Sequence, residues 1–283
     1  MVNLPAPDTY AQPIGIFDSG IGGLSVLKAL RAELPNEHFI YIADSGHAPY
    51  GERDDAHVVD RTLKIAAYLV KQNIKALVVA CNTATAVAID VLRATYPFLP
   101  VVGVEPALKP AVAASMTRHI AVMATRSTLA SARFAALLAA QGGQASFVLL
   151  PCDGLAEAIE MAVQDGDATK LIAACARIIR STGSFDDEKQ SFSALGPIDT
   201  LVLGCTHYPF AGQHIAALVG PDVKLLDTGL AVALQTRRLL GSHLSGAAAA
   251  RIDWFSTGQP TALNAAVQAW LGLEADAQLL HLS

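Results

Sequence analysis

Two short apolar runs of the chain end on a cysteine and at once turn polar: LVVACNTATA over 77–86 and LVLGCTHYPF over 201–210. The thiols are Cys81 and Cys205, 124 residues apart and so outside any one local motif. A thiol changes between acid and base within reach of neutral pH. Two of them facing one carbon could take a proton from one side and return it on the other, the requirement for inverting a stereocentre. In Cys81-Asn82-Thr83 the thiol precedes two hydrogen-bonding side chains at an expected helix start, whose free amides favour the thiolate. Cys205-Thr206-His207 repeats the pattern and adds an imidazole able to exchange a proton with sulfur. Cys175 lies within a helical run and reads as an inert small apolar residue.

Other uses of the thiols fit less well. Zinc takes tetrahedral N/S ligand sets, and the Cys205/His207 pair has no second compact pair to complete one. A redox CxxC is absent, and a lone Cys–His hydrolase leaves the Cys81 triplet unexplained. A pyridoxal enzyme would need a lysine such as Lys28 or Lys109, and a non-catalytic binder would need neither thiol. Two further segments carry polar groups after apolar runs. In Asp18-Ser19-Gly20-Ile21-Gly22-Gly23 the glycines permit close backbone approach and Ser19 can donate to a carboxylate. The spacing is not a dinucleotide fingerprint, and Asp18 or Ser19 could equally be a helix cap. In the segment from Asp44 to Gly51, a Pro-Tyr-Gly turn sets the Tyr50 phenol and the Gly51 amide at a defined point, for a ligand or for packing.

The elements that must position these groups alternate. Strands are expected at 14–17, 38–42, 77–80, 101–104, 120–124, 147–150 and 201–203. Helices are expected at 24–33, 56–72, 85–95, 130–141, 154–163, 169–180 and 231–240. The strand runs are solidly apolar rather than alternating, as parallel strands covered on both faces require, so the class is α/β. Residues 181–200 are polar and read mostly as a surface loop, and 1–13 as a loose leader. IGIFDSGIGGLSV and IAVMATRSTLAS open two similar halves, 107 residues apart when Asp18 is set against Thr125. The cysteine segments close the same halves, so two related α/β lobes with a cleft between them are expected.

Composition excludes several classes. The chain has 283 residues, 52% of them hydrophobic and 16% charged, enough apolar material for a sizeable core. Net charge is −5 with no basic stripe, and aromatics make up 6%, so nucleic acid is not expected as a primary partner. No run is apolar enough for a membrane span, and four cysteines in this length make no disulfide scaffold; a cytoplasmic protein with reduced thiols is expected.

At these residues the chain resembles the glutamate racemases of the aspartate/glutamate racemase superfamily. The segments that carry the resemblance are GIFDSGIGGLSVL, YIADSGHAPYG, VVACNTATA, VGVEPALKPA, ATRSTLAS and LVLGCTHYP, spread over about 14–228. The resemblance implies two similar lobes, each a mainly parallel sheet flanked by helices, with the active site in the cleft between them. The first lobe would comprise 14–104 plus 226–283 and the second 105–225. It implies conversion of L-glutamate to D-glutamate for peptidoglycan, with no cofactor or metal, in a homo-oligomer, a dimer. Cys81 would be the base acting on D-glutamate and Cys205 the base acting on L-glutamate, assisted by Asp18 and His207 respectively. Ser19, Tyr50, Gly51, Asn82, Thr83, Thr125, Thr206, His207 and Asp18 match substrate-binding positions. One segment departs from the family. Where many relatives read CPxxVPLVE, this chain has CDGLAEAIE, in which Glu160 takes the place of the glutamate that supports the His207 side.

Overall fold

A computed structural model describes residues 12–181, 185–186, 188, 191–192, 198–245 and 250–282. The leader therefore lies outside the described residues except for Gln12 and Pro13.

The first lobe begins with β1 (Ile14–Asp18), α1 (Leu24–Glu33), β2 (Phe39–Ala43), α2 (Asp55–Lys71), β3 (Ala76–Val79), α3 (Asn82–Thr95) and β4 (Val101–Gly103). The second contains α4 (Leu108–Ala114), β5 (His119–Ala124), α5 (Arg126–Ala130), α6 (Ala132–Ala139), β6 (Ser146–Pro151), α7 (Leu155–Asp165) and α8 (Thr169–Arg180). It continues through β7 (Phe185–Asp186), β8 (Ser191–Phe192), β9 (Thr200–Leu203), α9 (Gly212–Val219) and β10 (Lys224–Leu226). The chain then returns as α10 (Gly229–Leu240), β11 (Ile252–Ser256), α11 (Pro260–Leu271) and β12 (Gln278–Leu279).

Two all-parallel sheets result, one of six strands in the order β12-β11-β2-β1-β3-β4 and one of four in the order β10-β9-β5-β6. Every residue of β1, β2, β3 and β9 is buried, which explains why their sequences show no alternation. Leu24, Leu27 and Leu30 of α1 pack with Val232 of α10 and Leu263 of α11 on one face of the first sheet. Ile65 and Leu69 of α2 and Ile89 and Leu92 of α3 cover the other face. The second sheet is sandwiched likewise, by Ile159, Ile178 and Ile215 on one side and by Leu108, Val112 and Phe134 on the other. Each such aliphatic chain contributes about 1.5–3 kcal/mol by leaving water, so the layers hold the strand ends in place.

The strand order β2-β1-β3-β4 of the first sheet recurs in the second as β6-β5-β9-β10. In this correspondence Ile14 pairs with Ala76 as Ile120 pairs with Thr200. Ala80 donates to Phe17 O at 2.8 Å as Gly204 donates to Met123 O at 2.7 Å, and each cysteine follows directly. The register equates Ile14 with Ile120, an offset of 106 rather than 107, so Ser19 and not Asp18 is the counterpart of Thr125.

Local chemistry accounts for the other differences from expectation. The helix expected over 130–141 is the shorter α6, which starts after Ser131 because that residue is extended and caps it by accepting from Phe134 N at 3.1 Å; the separate short α5, capped by Thr125, precedes it and is not among the expected helices. The helix expected from 85 starts at Asn82, with Cys81 as its cap. Part of the segment read as a loop pairs β7 with β8 as a two-stranded antiparallel ribbon; its residues 182–184, 187, 189–190 and 193–197 lie outside the described residues.

Candidate active site

The loops after β1, β3, β5 and β9 meet between the two sheets, at the carboxyl ends of parallel strands, where α/β folds bind ligands. They enclose a cavity of about 250 Å³, the scale of a small metabolite. Ser19, Tyr50, Gly51, Cys81, Asn82 and Thr83 face it from the first lobe. Thr125, Glu160, Cys205, Thr206 and His207 face it from the second. The two thiols thus open into one space, each delivered by the strand at the same place in its sheet. Asp18 is the expected site residue that does not face the cavity: it is fully buried behind the glycine turn.

On the Cys81 side, the sulfur caps α3, accepting from Ala84 N at 3.5 Å, and its S–H donates to Ser19 Oγ at 3.6 Å. The Ala84 amide favours the thiolate, as the helix start leads one to expect, and so does the Ser19 hydroxyl once it turns to donate to the ionised sulfur. Burial and the neighbouring Asp18 charge outweigh them and push the Cys81 thiol far above its usual range, so at rest Cys81 carries its proton. Asp18 Oδ2 accepts from Gly23 N at 2.9 Å and lies 3.4 Å from Gly20 N. It satisfies amides at the start of α1 without being its N-cap, which is Gly23. Burial raises the Asp18 pKa, against the lowering pull of His207 and the Gly23 amide. Its Oδ1 is buried with no hydrogen-bond partner among the described residues, as is Oδ1 of Asn82.

On the Cys205 side, Sγ lies 3.7 Å from His207 Nδ1, and His207 Nε2 lies 2.8 Å from Glu160 Oε1. Ile21 N also donates to that carboxylate oxygen at 3.2 Å. Burial alone would discharge the imidazole, but the hydrogen bonds and negative charge of Cys205 and Glu160 raise His207 well above its ordinary 6.5. Burial likewise opposes the Glu160 charge, and the bond to His207 overrides it and lowers the carboxyl. His207 is therefore an imidazolium held between sulfur and carboxylate. In spite of its altered neighbours, Glu160 sits on α7 where it reaches the histidine.

The glycines of the Asp18–Gly23 turn serve this side. A Cβ on Gly22 would stand 2.3 Å from His207 Nδ1, and one on Gly20 would stand 2.3 Å from Glu160 Oε1. Bare backbone of the first lobe thus lets the His207–Glu160 pair of the second reach the cavity. Ser25 Oγ lies 2.7 Å from Thr206 O, a further tie between lobes, and Thr83 Oγ1 lies 3.3 Å from Thr125 Oγ1.

Tyr50 forms part of the wall, but its phenol is committed: the hydroxyl donates to Asp44 Oδ2 at 2.6 Å. Sequence reasoning missed Ser45, Ala48, Pro49, Ala156 and Glu157, which also face the cavity. It missed Arg61 as well, whose signal is a cation between the buried Val58 and Ile65 on the inner face of α2. Among the described residues lining the cavity none is Lys or Arg, so an anion there meets hydroxyls, amides and one imidazolium. Lys28 and Lys109 are exposed and face elsewhere. Among the described residues no three His, Cys, Asp or Glu side chains cluster as a metal site, and no helix is long and apolar enough to cross a membrane.

Comparison with known proteins agrees with this geometry. Residues 22–236 match the family described as Asp/Glu/Hydantoin racemase. Glutamate racemase of Ectopseudomonas mendocina is 44% identical over 93% of this chain and 96% of its own length. That of Ralstonia pickettii is 47% identical over 93% and 90%. Among solved structures, glutamate racemase isoform RacE1 from Bacillus anthracis superposes with a TM-score of 0.82 at 27% identity, covering 96% of this chain and 98% of that one. The Escherichia coli glutamate racemase in complex with L-glutamate and the activator UDP-MurNAc-ala gives 0.79 at 31%, covering 91% and 95%. With the family model matching residues 22–236 and relatives covered over more than nine-tenths of the chain, the chain belongs to the Asp/Glu/Hydantoin racemase family.

Proposed function

We propose that the protein interconverts L- and D-glutamate without a cofactor, using Cys81 and Cys205 as its two proton-transfer groups. The observation that carries this reading is the opening of both thiols into one small cavity from opposite lobes. Solved relatives are described as complexes with L-glutamate and with D-glutamate, one for each hand of the substrate.

Cys205, beside the His207 imidazolium, takes the α-proton of L-glutamate as a thiolate. Electrons left on the α-carbon spread into the adjacent carboxylate, where hydroxyls and amides of Ser19, Asn82, Thr83 and Thr206 stabilise the added charge. Cys81, which rests protonated, gives its S–H proton to the opposite face and becomes the thiolate, yielding D-glutamate. The reverse direction starts from the Cys81 thiolate, with Asp18 behind it. Thr125 and Gly51 help close the cavity around the side chain of the substrate, and Tyr50 shapes its wall.

On this reading the enzyme supplies D-glutamate for peptidoglycan in the cytoplasm and works as a homodimer. Its lobes are 14–104 plus 226–283 and 105–225, a division supported by the two sheets and by the packing of α10 and α11 on α1. Incubation with a panel of enantiopure amino acids, followed by circular dichroism, tests the substrate. Glutamate should lose its signal fastest; faster loss from aspartate or another amino acid would reassign it.

A further inference from the structure

Behind the cavity wall lies a buried charge network that the proton transfers do not use. Asp44 is fully buried, and three side chains from separate parts of the chain converge on its carboxylate. The Tyr50 hydroxyl donates to Oδ2 at 2.6 Å, and Thr257 Oγ1 donates to Oδ1 at 2.7 Å. Arg61 grips both oxygens, Nε to Oδ2 at 3.0 Å and Nη2 to Oδ1 at 2.8 Å, although the arginine itself is only 4% exposed. Thr257 also accepts from Gly46 N at 3.2 Å, and a Cβ on Gly46 would stand 2.6 Å from Thr257 O.

The loop from 45 to 51 is thereby fastened at both ends, and its residues Ser45, Ala48, Pro49, Tyr50 and Gly51 form one side of the cavity. A buried ion pair that loses one member destabilises its surroundings, so the position of the Asp44 carboxylate depends on Arg61. A lysine in place of Arg61 would keep the charge but not the two-pronged grip.

We propose that Arg61 is a positioning residue for substrate binding: through Asp44 it fixes the Tyr50–Gly51 wall against which the substrate is held. The inference rests on the proposed racemisation for its kinetic test only. A wall that holds the substrate equally in its ground and transition states acts on KM, whereas loss of folded enzyme acts on the apparent kcat.

The experiment compares the unaltered enzyme with Arg61→Lys, Arg61→Met and the milder Thr257→Val. Racemisation of L-glutamate is followed well below the unfolding midpoint of each protein. Arg61→Lys should raise KM on the order of tenfold with kcat within about twofold, and Thr257→Val should raise it less. Crystals of Arg61→Lys grown without substrate should show the Pro49–Gly51 turn displaced. A variant with an unchanged KM and a lower melting temperature would overturn the proposal, as would an undisplaced turn. If the unaltered protein does not act on glutamate, the racemase reading fails while the crystal still decides the role of Arg61. If Arg61→Met does not fold, Arg61→Lys and Thr257→Val decide it.

Discussion

At the scale of single residues, the two sides of the cavity surround their thiols with different neighbours. Burial and Asp18 keep Cys81 a thiol, while Cys205 faces an imidazolium, an asymmetry that under the proposed mechanism favours starting from L-glutamate. Glu160 is part of the reason, because its bond to His207 is among the interactions that raise the imidazole. Replacing Glu160 with glutamine removes that charge, so His207 should lose its proton at lower pH. The alkaline limb of the pH–rate profile for L-glutamate should shift downward in Glu160→Gln; a limb that stays in place would contradict the pairing. The linkage to stability has a definite sign. His207, raised in the fold, stabilises it fully below 6.5 and ceases to do so as pH rises through its elevated value. Glu160, lowered in the fold, stabilises it above 4.5 and less as pH falls.

At the scale of elements, the work is done by strand ends and the turns after them. The turn after β1 must be thin, since His207 and Glu160 press on Gly22 and Gly20. Gly22→Ala should push the imidazole away from Cys205 and cut kcat by on the order of 100-fold. Overpacking should cost about 1–3 kcal/mol in a urea unfolding measurement. Wild-type kcat in Gly22→Ala would show that the close approach is immaterial. These turns were legible in the sequence because small and polar residues follow solid apolar runs, as in FDSG, ACNT and GCTH. Less legible was what each polar group faces. Tyr50 reads as a ligand contact or a packed ring, and only the fold shows that Asp44 takes its hydroxyl. The Cys81 pKa was also beyond reach, because a helix start pulls it down while burial, a property of the assembled lobes, pushes it up. Ser131 hid inside an apolar stretch, and as a cap it sets where α6 starts.

At the scale of the whole molecule, the repeated strand order explains how one chain presents two like thiols to a single cavity. The repeat was visible in the sequence, but its register was not, because weakly similar apolar strands align nearly as well one residue out; the ladder fixes Ser19 against Thr125. The frame also depends on ties remote from the cavity. Asp199, just before β9, accepts from Ser115 Oγ at 2.6 Å, Met116 N at 2.6 Å and Thr117 N at 2.9 Å. Although partial burial opposes its charge, these bonds lower its carboxyl from 3.8 to about 2. Its contribution is therefore present above 3.8 and lost as pH falls toward 2. In Asp199→Asn, unfolding free energy should depend less steeply on pH across that window than in the unaltered protein; parallel curves would contradict this.

The central claim is that two sulfur groups on opposite sides handle the α-proton, and deuterium incorporation tests it most directly. L-glutamate is incubated with the enzyme in deuterium oxide, and both enantiomers are separated and analysed at early times. D-glutamate should carry deuterium at the α-carbon while recovered L-glutamate remains unlabelled, and Cys81→Ala or Cys205→Ala should slow its formation by about 10²–10⁴-fold. D-glutamate that retains the original α-proton, or that forms at an undiminished rate in either variant, would contradict the account.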